Sequence, residues 1–291
     1  MTIIFKSMGV MNITPNSFSD GGGHLSPQAM QKTIGRFQNL DVHYLDIGAE
    51  STAPMNDPIS FQEEWLRLQS CLNVLSEIKW QGVISLDSYR PKTAHSFFKE
   101  LKILGYNENQ FLWNDVSGKY DDEVLGFLDE YKEARYVFCH NLCPSREDAS
   151  HHMDHVNEDQ SLEEFFKELI AFFKGVQAQD RVVFDPCFGF SKTYEQNLYL
   201  LEHFPRLVRE FSGHSWVYGI SKKSFLRRWW SERIEEGNRP FLLEKSEFLH
   251  SYWLGRLMSD LRSQGQPESS QEVIFRVHDP SLIRFVDQVH K

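Results

Sequence analysis

The sequence predicts an α/β fold of the (β/α)8 TIM-barrel class, a single domain spanning residues 1–291. Three observations carry this expectation. Eight short runs rich in β-branched and aromatic residues recur along the chain, segments of helical periodicity separate them, and nearly every run ends on polar residues. Strands alternating with helices imply a parallel sheet, and eight repeats of the unit imply closure into a barrel. A doubly wound open sheet is the alternative that periodicity alone leaves standing.

In order, the runs are "KSMGVMN", "HYLDIG", "GVISLDS", "FLWNDVS", "RYVFCHN", "RVVFDPC", "HSWVYGIS" and "EVIFRVHD". Between them lie helical segments such as "SFQEEWLRLQSCLNVLSEI" and "SLEEFFKELIAFFKGV", and "PSLIRFVDQVH" follows the last run as a final helix. The aromatic residues of "FFKELIAFF" recur at helical spacing and belong to the core. The stretch Cys143–Gln160, "CPSREDASHHMDHVNEDQ", is polar and charged and reads as a long exposed loop.

Composition narrows the function classes. At 41% hydrophobic and 25% charged residues, this is an ordinary soluble globular chain. A net charge of −10 argues against a nucleic-acid footprint, although a local basic pocket for an anion is compatible with it. The basic stretch "KKSFLRRWW" therefore reads as a helix start near an anionic ligand. No apolar run reaches the roughly 20 residues of a membrane span, and "MTIIFKSMGV" is too short for a signal peptide, so the expected location is cytoplasmic. Four cysteines are too few for a disulfide framework. Cys139, His140 and Cys143 with His151, His152 and His155 invite a zinc reading, but Cys139 and His140 point to opposite faces of one strand.

In a barrel of this kind the site lies at the C-terminal ends of the strands. Those ends here deliver Asn12, Asp46 with Glu50, Asp87, Asn114 with Asp115, His140 with Asn141, Asp185, Ser221 to Lys223, and Arg276 with His278. Any one of them could be a helix cap. A full ring must satisfy itself or be completed by a ligand. Asp87, Asn114 and Asp185 suit the donor edge of a flat nitrogen heterocycle. Lys223 adds a positive charge, and Arg276 and His278 suit an anion such as phosphate. Asn12 is a neutral oxygen ligand for a Mg²⁺ carried mostly by water and phosphate.

Seven of these segments, in order, resemble the dihydropteroate synthase family: "MGVMNITPNSFSDGG", "LDIGAEST", "ISLDS", "NDVSG", "DPCFGFSKT", "GISKKSF" and "RVHD". The folate-binding methyltransferase barrels share the architecture, but not the long first-loop motif or the terminal "RVHD". The resemblance implies condensation of a dihydropterin pyrophosphate with p-aminobenzoate, with Mg²⁺ as cofactor and pyrophosphate released. It implies pterin contacts from Asp87, Asn114, Asp185, Phe190 and Lys223, and pyrophosphate contacts from Asn12, Arg276 and His278, with Asn12 also the magnesium-linked residue. It implies p-aminobenzoate contacts from Phe18, Thr52, Phe190 and Ser224, and a first-loop Asp20 that works beside Asp87 and Lys223 in catalysis. A homodimer through the late helices, around "FLLEKSEFLHSYWLGRLM", is a further implication. The chain departs from the family pattern at Ala53, where an arginine is usual, and at Lys222, also usually arginine. Cys187 and Ser191 replace glycines, and Cys139 and Asn141 replace methionines. A pterin-binding relative with lost or altered activity is the alternative reading that Ala53 raises.

Overall fold

In the computed structural model the eight runs are all strands, and each pairs in parallel with the next until the last closes on the first. The structure describes residues 3–14, 26–50, 58–176, 180–232, 242–262 and 271–284. The order is β1 (Ile3–Asn12), α1 (Pro27–Asn39), β2 (Tyr44–Gly48), α2 (Phe61–Glu77), β3 (Val83–Asp87), α3 (Pro91–Ile103), β4 (Phe111–Asp115) and α4 (Asp122–Glu130). It continues with β5 (Arg135–Cys139), α5 (Leu162–Lys174), β6 (Val182–Asp185), α6 (Tyr194–Glu210), β7 (Ser215–Tyr218), α7 (Ser224–Ser231), α8 (Leu242–Arg262) and β8 (Gln271–Val277). The closed barrel removes the open-sheet alternative.

Local chemistry fixes where the helices start. Ser26, Ser60, Asp121, Ser161 and Thr193 each accept a hydrogen bond from the backbone N–H three residues on, at the heads of α1, α2, α4, α5 and α6. Each such cap stabilises its helix by about 1 kcal/mol. Among the described residues no helix is long and apolar enough to cross a membrane.

Alternation along the strands sorts the side chains into two compartments. Met8, Tyr44, Leu112, Val137, Val183, Val217 and Ile274 share one parity and fill the barrel axis as a small apolar plug. Residues of the opposite parity, such as Ile47, Leu86, Trp113, Phe138, Phe184 and Phe275, pack outward with the helices in the large core. Below the plug, Arg135 donates to Glu272 at 2.7 Å and to Tyr44 Oη, and Tyr44 donates to Glu272 at 2.7 Å, which seals the N-terminal end. Above the plug the inward positions turn polar, and these are Asp46, Ser85, Asn114, Asp185 and Arg276.

Two sequence expectations are corrected here. Residues 143–160 are exposed in part, as expected, but are not a loop throughout: Glu147–His155 form a 3-10 segment in which Ala149, Ser150 and His152 are buried. Its charges are anchors. Arg146 donates to Asp115, to Asp121 at 2.9 Å and to the Tyr89 carbonyl at 3.2 Å, fixing the segment to β4 and its loop. The cysteine count also misled. Cys139 and Cys187 form a disulfide, with Cα atoms 5.6 Å apart. Cys139 lies in register with Asp185 on the adjacent strand, so one turned residue suffices to bring Cys187 back to it.

Candidate active site

The polar strand ends surround a cavity of about 620 Å³ at the C-terminal mouth of the barrel. Asn12, Glu50, Asp87, Asn114, Asp185, Phe190, Lys223, Ser224 and Arg276 all line it. These strand-end and loop residues singled out in the sequence, with Lys222 and Cys187, converge on one space. Phe18, Asp20, Thr52 and Ala53 lie outside the described residues.

Asp46, fully buried one layer below, organises the floor. It accepts from Ser85 Oγ at 2.6 Å, from Asn114 Nδ2 at 3.2 Å and from Arg276 Nε at 2.7 Å. Arg276 Nη2 donates in turn to Asp87 at 2.6 Å. One guanidinium therefore bridges β2 and β3 from β8. Gly48, beside Asp87, leaves little room for a side chain: a Cβ there would lie 3.2 Å from Asn12 Oδ1 and 3.5 Å from the Asp87 carboxylate. Burial pushes the Asp87 carboxyl up to about 7 against the pull of Arg276, and it raises Asp185 as well. Burial, aided by Arg276, brings Lys223 down to about 8, with Asp185 and Asp87 opposing. Burial also holds the Arg276 guanidinium back, but Asp46 and Asp87 more than offset it, so this residue stays charged.

The loop from β6 to α6 carries three left-handed residues, Cys187 (φ 55°), Gly189 (φ 80°) and Ser191 (φ 47°). Cys187 and Ser191 thus adopt the conformation that glycine takes easily, at a cost of roughly 1–2 kcal/mol each. Their side chains offset that cost. Cys187 is tied to Cys139, and its N–H donates to Asp185 Oδ1 at 2.7 Å. Ser191 Oγ donates to the His152 carbonyl at 3.0 Å and lies 3.1 Å from Asn141 Oδ1. Gly189 leaves room for the Lys223 side chain, whose Cδ would sit 3.4 Å from a Cβ at that position. Lys223 Nζ then stands 4.6 Å from the centroid of the Phe190 ring.

Other sequence candidates sit apart from the cavity lining. Asp115 follows Asn114 and so faces outward, bonded to Arg146, to Tyr136 at 3.0 Å and to the Ser117 N–H at 2.8 Å. His140 faces α5, stacked edge-on against Phe172 at 4.7 Å. His278 pairs its Nδ1 with Ser221 Oγ at 3.0 Å. Among the described residues no group of three His, Cys, Asp or Glu side chains is placed to hold a metal ion, and Cys139 is already bonded to Cys187. The donor set near Asn12 is a neutral amide oxygen, which suits a cation held mainly by water and ligand oxygens.

Three features escaped the sequence reading. Lys192 is buried, its Nζ donating to the carbonyls of His140 (3.1 Å), Cys187 (3.2 Å) and Phe190 (2.9 Å), so it braces the β6–α6 loop from inside. Burial lowers this ammonium to about 7. Glu50 is held by Arg90 and by Tyr89 Oη (3.0 Å), and Arg90 also donates to the Ile59 carbonyl at 2.6 Å, so one arginine ties both flanks of residues 51–57. A lysine directly after "GFS" and an arginine after "DSY" were visible signals. His152 is the third; nothing in its polar surroundings marked it as a wall of the cavity.

Known proteins resemble this chain in sequence and in fold. A dihydropteroate synthase of Neisseria meningitidis serogroup C is 33% identical over 228 residues, covering 76% of this chain and 75% of its own. The dihydropteroate synthase of Anaplasma phagocytophilum, solved with bound 6-hydroxymethylpterin-monophosphate, matches with a TM-score of 0.68 at 24% identity, over 99% and 98% of the two chains. That of Thermus thermophilus, in complex with 4-aminobenzoate, matches with a TM-score of 0.67 at 24% identity, over 98% and 93%. The structural likenesses speak to the fold. Residues 8–244 match the family described as pterin binding enzyme, and the chain belongs to that family.

Proposed function

We propose that this protein is a dihydropteroate synthase, which joins the pterin of 6-hydroxymethyl-7,8-dihydropterin diphosphate to p-aminobenzoate and releases pyrophosphate. It is then a transferase of folate biosynthesis. The observation that carries the reading is the convergence of Asp87, Asn114, Asp185 and Lys223 on one cavity in a pterin-binding family member.

Asp87 and Asp185 accept from the amino and ring N–H groups of the heterocycle, Asn114 completes that edge, and Lys223 and Phe190 cover it. Arg276 spends two of its five N–H donors on Asp46 and Asp87, leaving others for the pyrophosphate. Asn12 contributes to the same end, and His278 is assigned there by the family resemblance alone. Ser224, at the head of α7, and Phe190 take the p-aminobenzoate, with Phe18 and Thr52 their partners from residues outside those described. Mg²⁺, when bound, neutralises the leaving pyrophosphate; Asn12 would hold it, with water and phosphate oxygens supplying the rest.

The chemistry is dissociative. The bond between the pterin methylene carbon and the pyrophosphate oxygen breaks, and its electron pair leaves with pyrophosphate. The cation left behind delocalises into the dihydropterin ring, where the Asp87 and Asp185 carboxylates stabilise it. The aryl amine then forms the carbon–nitrogen bond and gives up its extra proton to solvent or to the departing pyrophosphate, a step to which the family resemblance assigns Asp20. No side chain becomes covalently attached, and positioning of the amine supplies much of the rate.

The test is turnover by the purified chain. Dihydropterin diphosphate, p-aminobenzoate and Mg²⁺ are supplied, and dihydropteroate is followed chromatographically. Product above blank is expected. Its absence, with pterin binding retained, would leave a pterin-binding protein of changed activity, the alternative that Ala53 raises.

A further inference from the structure

Beside the strand ends, two residues of the Glu147–His155 segment, His152 and Met153, line the same cavity. His152 is 1% exposed and lines the cavity with Phe190 and Lys223. Its ring centroid lies 4.0 Å from that of Phe190, at an interplanar angle of 32°. Resting on the synthase reading above, we infer that His152 is a positioning residue for p-aminobenzoate, acting by fixing the Phe190 ring through their stacked contact.

Three observations support it. First, His152 is tied to the residue next to Phe190: Ser191 Oγ donates to the His152 carbonyl at 3.0 Å, and the Ser191 N–H approaches His152 Nδ1 at 3.5 Å. The histidine is therefore tied to the chain directly beside the phenylalanine. Second, the ring is held neutral. Burial and the nearby Lys223 and Lys192 ammonium groups bring its pKa down to about 4. A cation here would repel Lys223, whose Nζ lies 4.6 Å from the Phe190 centroid. Third, His152 Nε2 is buried with no hydrogen-bond partner among the described residues. That is a desolvation cost that an apolar wall would avoid. A flat, neutral ring at this point stacks on Phe190, and that contact orients the Phe190 ring in the cavity wall.

The experiment compares wild type, His152→Ala, His152→Leu and His152→Phe in the full chain, varying p-aminobenzoate and the dihydropterin diphosphate separately. An aromatic pair of this kind corresponds to roughly a two- to tenfold change in an equilibrium constant. His152→Ala is expected to raise KM for p-aminobenzoate about fivefold while kcat stays within about twofold. His152→Leu carries the same expectation and replaces the alanine variant if that one does not fold. His152→Phe, which keeps the flat ring, should lie within about twofold of wild type in both constants. An unchanged KM in the alanine or leucine variant overturns the inference. So does a phenylalanine variant as impaired as alanine, or a loss confined to kcat. Wild-type turnover separately tests the synthase reading. Should wild type give none, calorimetric binding of p-aminobenzoate reads the same ratio, and a wild type that does not bind it overturns both.

Discussion

Replacing Arg276 with methionine removes the cation that, among the described residues, reaches both Asp46 (2.7 Å) and Asp87 (2.6 Å). The methylene stem is kept, so little volume is lost and the effect is electrostatic. Breaking a buried ion pair from one side costs about 3–5 kcal/mol, because the partner charge stays behind without compensation. Here a carboxylate can escape by taking a proton, and that makes the cost depend on pH. In the wild type, Asp87 sits at about 7, raised above its ordinary value of 3.8 by burial. A group raised on folding contributes stability that is fully present below its unfolded pKa and lost as pH rises through its folded pKa. Without Arg276 the folded pKa rises further, so the variant goes on losing stability above about pH 7, where the wild type has levelled off. At about pH 5.5 Asp87 is protonated in both proteins and its share of the difference vanishes. Urea unfolding followed by tryptophan fluorescence should therefore give a deficit of about 3–5 kcal/mol at about pH 8 and a clearly smaller one at about pH 5.5. Arg276→Lys, which can satisfy one carboxylate but not both, should fall between. A deficit below about 1 kcal/mol at the higher pH, or one that does not shrink on acidification, would refute the bridging role.

Pterin affinity should follow the same carboxylate. On the proposed reading Asp87 receives both the amino and ring N–H groups of the heterocycle best when ionised, so calorimetric affinity should fall by up to about tenfold per pH unit below about 7, and a flat profile from about pH 5.5 to 7.5 would count against it. Asn114→Leu keeps shape but removes the donor that Asp46 accepts at 3.2 Å; stability should drop by about 1–2 kcal/mol and pterin affinity about tenfold, read from the same two assays. Cys187→Gly frees a left-handed position and deletes a link spanning 48 residues. Without reductant the variant should be less stable by about 1–3 kcal/mol, whereas with dithiothreitol it should match or exceed reduced wild type; equal melting shifts in both conditions would refute the role of the link.

The barrel was legible because two periods do not mix: runs alternating about every second residue lie between segments repeating about every 3.6. The boundaries held closely, as with "FLWNDVS" for β4 (Phe111–Asp115). The pocket was legible for a related reason, since polar residues at strand ends can be counted. What counting could not do was assign faces at the transition from strand to loop. Asn114 and Asp115 look equivalent in sequence, yet one faces the cavity and the other faces Arg146. His152 was illegible because its neighbours, His151 and Asp154, are exposed and polar. The contact that buries it comes from Phe190, far along the chain on the β6–α6 loop, and no local pattern encodes that. The Cys139–Cys187 pair fell to the same kind of distance: composition speaks to frameworks of many bridges, not to two residues that neighbouring strands bring together.

These cases share one physical cause, and it bears on how the site works. Several of the residues that line the cavity are held in place by a second residue. Asp46 holds Asn114 and Arg276, Lys192 holds the backbone around Cys187 and Phe190, Arg90 holds Glu50, and Ser191 holds His152. Buried polar groups must be paired whether or not substrate is present, so a site lined by carboxylates needs internal cations to persist when empty. Arg276 serves both needs, since it neutralises the floor with two of its N–H groups and keeps others for an arriving anion. A dissociative reaction benefits from that arrangement: the charges that meet the developing cation and the departing pyrophosphate are already fixed before either appears, and little reorganisation is left for the reacting step.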